Sequence, residues 1–151
     1  MESKVKVITL VAFIGALIAL VGVFMPWMTS GPFSISGWEF ITDDGEAAAS
    51  VFALIALIST IIALAVSALD LLNVKITEPV LIYMLLMVQG IVIAVMVFMA
   101  VYDQFLAIEN LGYSTENISY GFGAFVSIIG GVLVAVAGAI SVIGAIKLIK
   151  K

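Results

Sequence analysis

Side chains able to do chemistry are few in this chain, and most of them are carboxylates. The densest cluster is Asp43, Asp44 and Glu46, in the stretch TDDGE. Clustered carboxylates suit a hard cation such as Ca²⁺, which makes these three the candidate metal ligands, although their spacing is not that of an EF-hand. Asp43 and Glu46 also stand three residues apart ahead of an apolar run. That is the spacing of a capping box, so helix capping and solvation is the simpler reading of the same residues. A second group is Met84, Met87, Met96 and Met99. Thioethers take soft Cu(I), but no second soft ligand type accompanies them, and methionine is the adaptable filler of apolar cores. The third candidate is Gln89, a lone amide in mid-run. Left unpaired in hydrocarbon it would cost several kcal/mol. The expected partners are Ser59 and Thr60, at similar depth on the preceding run; the alternative is that Gln89 faces a ligand cavity.

The missing residue types bound the function further. The chain has no cysteine, histidine or arginine. Disulfide frameworks, thiolate and imidazole metal sites, His- or Cys-ligated haem, and Ser-His or Cys-His catalysis are excluded. The net charge of −4 argues against nucleic acid. The chain is expected not to be an enzyme and to carry no cofactor.

What must position these residues is a membrane domain. Of 151 residues 64% are hydrophobic and 11% charged, against about 45–50% and about 25% in soluble domains. Four apolar spans are readable, at residues 5–25, 47–72, 79–104 and 121–149, with outer loops at 26–46 and 111–120. Each covers about 30 Å of hydrocarbon. No helix breaker precedes Asn110–Leu111–Gly112, so the third helix is expected to run on to about residue 110. The first run has a basic start like a signal peptide. Gly22–Val23–Phe24–Met25 offers no small-x-small cleavage site, however, and the run is long for a signal, so it is read as a span.

Small residues recur along three of the four spans. Ala49, Ala53, Ala56, Thr60, Ala63 and Ser67 alternate at spacings of four and three. Gly123, Ser127, Gly130, Val134, Ala137, Ser141 and Gly144 do the same, as do Ala12, Gly15, Ala19 and Gly22. Small residues let helix backbones approach in lipid, and a period of about 3.5 favours a left-handed bundle with crossings of about +20°. The expected fold is therefore an all-α integral membrane protein, a left-handed antiparallel four-helix transmembrane bundle. Lys4, Lys6, Lys75, Lys147, Lys150 and Lys151 all fall on one side of it, and the opposite loops hold only acids. The positive-inside rule places both termini in the cytoplasm, in the plasma membrane.

In the first outer loop Trp27 stands where an interfacial anchor belongs. Phe33–Ser36 alternates apolar with polar, and so does Trp38–Phe40, which predicts a short β-hairpin or ribbon bent at Ser36–Gly37. Trp27, Phe33, Trp38, Phe40, Tyr102 and Phe105 form the candidate interaction set, since aromatics suit contact surfaces. Tyr113 and Tyr120 suit an interfacial belt. Asn117–Ile118–Ser119 is a glycosylation sequon on the outer side.

With Trp27 near the end of the first span and Gly37–Trp38 in the first outer loop, the layout resembles the claudin and peripheral-myelin class of four-span proteins. That class has a larger, β-containing first loop and a third helix projecting outward. Both loop cysteines and the loop arginine of the class are absent here, and the loop is short. The resemblance implies lateral self-assembly or partner binding through outer loops. The expected function is structural or accessory: self-assembly, or packing as a small subunit of a larger membrane complex, with membrane lipids around it. The alternative is a binding or transport module for a lipid or small apolar molecule, with Gln89 as its polar handle.

Overall fold

A backbone amide in hydrocarbon has no water to bond, so an apolar run must pair its own N–H and C=O groups. In the computed structural model the chain meets that demand with four helices: α1 (Glu2–Val23), α3 (Ala47–Leu71), α4 (Pro79–Asn110) and α5 (Phe122–Ile149). The structure describes residues 2–30, 33–42, 47–72, 74, 79–110, 112 and 118–149. Side chains are described for 7–29, 34–42, 50–72, 74, 80–106, 109, 110, 112 and 119–147. Ser50–Leu71, Val80–Leu106 and Phe122–Lys147 are long and apolar enough to cross a membrane, and Val7–Val23 is a shorter apolar stretch. Within the most apolar 18-residue window of each long one, only 39, 33 and 39% is buried. Large apolar side chains such as Val51, Ile58, Val88, Ile91, Ile129 and Val136 stay exposed on them, which lipid satisfies and water does not. The chain is a helical membrane protein.

Helix α5 lies against α1 and α4, and α3 packs against the same two helices. The α1–α5 contact is backbone on backbone. A Cβ added at Gly15 would sit 2.8 Å from the Gly130 carbonyl oxygen, and one at Gly22 would meet Gly123 and Ser127. The Ser127 hydroxyl donates to the Ala19 carbonyl at 2.9 Å, buried. Gly15 over Gly130 and Gly22 over Gly123 make the two helices run in opposite directions.

A second close face of α5, with no counterpart among the expected seams, meets α4. A Cβ at Gly131 would come within 2.9 Å of the Gly90 carbonyl oxygen, and one at Gly138 within 2.8 Å of the Tyr83 carbonyl oxygen. Gly144 is a correction in the other direction. It was expected in the seam, yet nothing lies within 4 Å of its would-be side chain. In the α1–α5 register it has run past the start of α1. On α3, Ala53, Ala56, Thr60, Ala63 and Ser67 are fully buried; the side chain of Ala49 lies outside the described residues.

One end of the helices carries a cap. Strands β1 (Pro26–Ser30), β2 (Phe33–Ser36) and β3 (Ile118–Tyr120) form an antiparallel sheet in the order β2-β1-β3. Met28 pairs with Ile35 on one side and with Tyr120 on the other. The ribbon expected to fold at Ser36–Gly37 is not the one formed: the partner of β2 is β1, and Trp38–Phe40 belongs to a helix, α2 (Gly37–Thr42). The cause is a capping box that competes with the alternation. The Glu39 amide donates to Ser36 Oγ at 3.2 Å, and Glu39 Oε1 accepts from the Ser36 amide and hydroxyl at 3.4 and 3.3 Å. Helix α4 ends where Gly112 takes φ +88°, with its amide donating to the Glu109 carbonyl. Glycine enters that left-handed region without a Cβ penalty.

Candidate functional site

The six aromatics grouped as an outer contact set separate into two kinds. Trp27 and Phe40 are turned inward, 0 and 7% exposed, and meet edge-on at 5.7 Å. Neither is a contact residue for partners. The β-ladder shifts register between Pro26 and Met28. A bulge re-aims a side chain, and here both Trp27 and Met28 enter the core. The Trp27 indole N–H donates to the Gly22 carbonyl at 2.9 Å, at the end of α1, where that oxygen also accepts the Met25 amide at 3.1 Å. Gly37 lies flat against the indole ring, leaving no room for a Cβ. Trp27 therefore pins the cap to α1.

Trp38 and Tyr102 do face outward, in two separate patches. Trp38 packs against Phe24 with ring centres 5.8 Å apart and planes tilted by 34°, both exposed, on the α1–α2 side. Tyr102 belongs to a cluster centred on Tyr120. That ring meets Phe98 at 5.9 Å, Phe105 at 5.5 Å and Phe125 at 6.1 Å, and Phe98 stacks on Tyr102. Burial, and then the neighbouring Tyr102, push the Tyr120 phenol above its ordinary value, so it stays protonated well past neutral pH. The Phe33 side chain lies outside the described residues. Phe98 and Phe125 were not read from the sequence as part of a patch. Their signal was positional: Phe98, Tyr102 and Phe105 share one face of α4 at spacings of four and three.

The intramembrane polar residues are arranged otherwise than expected. Among the described residues no hydrogen bond joins Gln89 to Ser59 or Thr60. The Thr60 hydroxyl donates instead to the Ala56 carbonyl of its own helix at 2.8 Å, and Ser67 likewise to Ala63 at 2.7 Å. Ser59 is buried and Gln89 half-buried. A hydroxyl one turn from a free-standing carbonyl lone pair on its own helix needs no distant amide.

A side-chain to side-chain hydrogen bond between helices was not foreseen. Thr9 on α1, 1% exposed, donates its hydroxyl to Asp70 Oδ2 on α3 at 2.9 Å. A hydrogen bond to a carboxylate contributes about 1.5–3 kcal/mol. Thr9→Val keeps the shape and removes the donor, so it should lower resistance to unfolding by SDS in mixed micelles by about 1–2 kcal/mol. Asp70→Asn keeps an acceptor and should lose less. Equal stability of Thr9→Val and the parent would show that the bond contributes nothing. At the capped end, Asp103 has one carboxylate oxygen enclosed without a hydrogen-bond partner among the described residues.

Asp43, Asp44 and Glu46, the candidate cation ligands, and Asn117 of the sequon lie outside the described residues. Among the described residues no three His, Cys, Asp or Glu side chains come together as a metal site. Ala53, Ala56, Ala63, Gly123 and Gly130 are all in helix–helix contact positions, and their chemistry is packing. No family model, no curated protein sequence and no solved structure matches the chain.

Proposed function

We propose that this chain is a structural or accessory membrane protein that assembles laterally, with copies of itself or as a small subunit of a larger membrane complex. The observation that carries the reading is how its interior is used. Gly15, Gly22, Gly90, Gly130, Gly131 and Gly138 bring helix backbones into direct contact, so the middle of the domain serves cohesion. Chemistry-bearing groups are sparse there, while large apolar side chains and two aromatic patches are presented outward. The reading takes the domain as a left-handed antiparallel four-helix bundle in the plasma membrane. Both termini are cytoplasmic in it because all six lysines occur in the sequence before the first apolar run, between the second and third, or at the end of the fourth. A claudin-like mode of lateral assembly is part of the proposal, and the three-stranded cap over the helices supports it.

Native mass spectrometry of protein extracted gently from its own membrane tests this. A symmetric oligomer, or a fixed mass including other polypeptides, is the expected result. A lone monomer carrying a small adduct would overturn the proposal and favour a module for a lipid or small apolar molecule.

One observation favours that second reading: Gln89 is half-buried and unbonded to Ser59 or Thr60. Gln89→Leu should therefore leave the bundle intact, or stabilise it by up to about 1 kcal/mol. Loss of a bound adduct in the same variant would make Gln89 a ligand handle. Collapse of the bundle would make it structural.

A further inference from the structure

We infer that two copies of this chain pair through α4, with the side-chain amide of Gln89 bonded to the same amide of the second copy across a two-fold axis along the membrane normal. The inference rests on the self-assembly reading above and names the residue that carries it. Gln89 is one of a kind in this chain. Across residues 7–24, 47–69, 79–102 and 121–146 it is the only amide or charged side chain. Among the described residues it has no hydrogen-bond partner. An unpaired amide in hydrocarbon is unfavourable, because nothing there replaces the water it gave up. A polar group from outside the chain must therefore meet it.

The amide stands at the rim of α4 rather than inside the domain. Leu86 and Ile93, one turn to either side, are buried, whereas Leu85 and Val88 beside it are exposed. Gln89 itself is half-buried. Among the described residues the one enclosed side-chain oxygen or nitrogen without a partner belongs to Asp103. The polar atoms of Gln89 are thus unpaired without being enclosed. They open onto whatever lies against the helix in the bilayer.

Depth decides which partner can reach them. The charges that bound this run are Glu78, 11 residues before Gln89, and Asp103, 14 residues after it. At 1.5 Å per residue they are about 17 and about 21 Å away. Gln89 therefore stands near the middle of a hydrocarbon core of about 30 Å. Headgroups and interfacial water lie beyond its reach there, and acyl chains offer no polar atom. A ligand would have to bring a polar group to that depth; a second copy inserted with the same topology has one there already. A primary amide carries two donors and an oxygen with two lone pairs, so it is complementary to itself. One amide in an otherwise apolar helix face is also the device that fixes register and number in paired parallel helices.

Full-length protein carrying a donor or an acceptor dye at its N-terminus is mixed in liposomes and diluted with lipid, with energy transfer as the readout of pairing. Gln89→Leu should weaken the dimer roughly tenfold, the scale of one amide contact between helices in lipid. Gln89→Asn keeps an amide and should fall between the parent and Gln89→Leu. Resistance to SDS, measured on the same variants, should not drop. Pairing as strong in Gln89→Leu as in the parent, or a bundle that collapses in that variant, would overturn the assignment to Gln89 and leave lateral self-assembly standing. No energy transfer in the parent at any dilution would overturn the pairing itself. A fixed native mass with other polypeptides would then keep the accessory reading, and a lone monomer would overturn that as well.

Discussion

Gly130→Ala is expected to destabilise the chain by about 2 kcal/mol against SDS in mixed micelles, and Gly130→Val by more. The first added carbon on Gly130 lands on the Gly15 carbonyl and the Ala19 amide of α1, which are backbone atoms. A side chain could rotate away; a backbone cannot, so the two helices must separate. Separation also stretches the Ser127–Ala19 hydrogen bond, 2.9 Å and buried. In lipid, helix cohesion comes from dispersion and hydrogen bonds rather than from the hydrophobic effect. Dispersion falls off steeply with a gap of even about 1 Å. Gly144→Ala on the same helix is the internal control. Open space surrounds it, so it should be neutral or gain up to about 1 kcal/mol of helix propensity. Opposite signs for the two substitutions are the expected outcome. Like effects at 130 and 144 would mean that the α1–α5 approach is not as close as described.

Trp27→Ala should be the most damaging single change to the cap, at about 3–5 kcal/mol for a fully buried indole. It empties the space between Phe40, Gly37 and the end of α1, and it removes the indole hydrogen bond to the Gly22 carbonyl, which keeps only the Met25 amide. Trp27→Phe refills most of the volume but not the hydrogen bond, and should lose about 1–2 kcal/mol. The damage should be local. Hydrogen exchange should rise over Met28–Ser30, Ile35–Phe40 and Ser119–Gly121, while the far-ultraviolet helical signal is kept. Exchange that rises equally along α3 would show that cap and helices unfold as one unit.

How much of this was legible in the sequence depends on which physics decided each feature. The helices were legible because an uncharged run of more than about 20 residues has few other fates. The small-residue faces were legible where they recur in one phase, as at Ala53, Ala56 and Ala63. The contact of Gly90 with Gly131 was missed because α5 carries two interleaved phases, and a single seam accounts for only one of them. Gly144 fits the phase and has no partner, since periodicity does not say where the neighbouring helix stops. In the outer loop, Ser36 and Glu39 satisfied both a period of two and a capping box, and hydrogen bonding at the helix start prevailed. The inward turn of Trp27 depends on a bulge, a register event that requires knowing the partner strand. Thr9 and Asp70 lie 61 positions apart, and nothing local announces such a pair.

The two-faced character of α5 also bears on how the chain is made. During synthesis α1, α3 and α4 are made before α5. Until it arrives, the glycine faces of α1 and α4 rest against lipid, which fits their grooves poorly. The cap is in the same position, because β1 waits for β3, and the Trp27 carbonyl for the Gly121 amide. The contacts joining Ala19 to Ser127 span 108 positions, and closing them is the step at which separately inserted helices become one folded body. A chain stalled before α5 would hold correctly inserted helices with no stable arrangement, a natural substrate for membrane quality control.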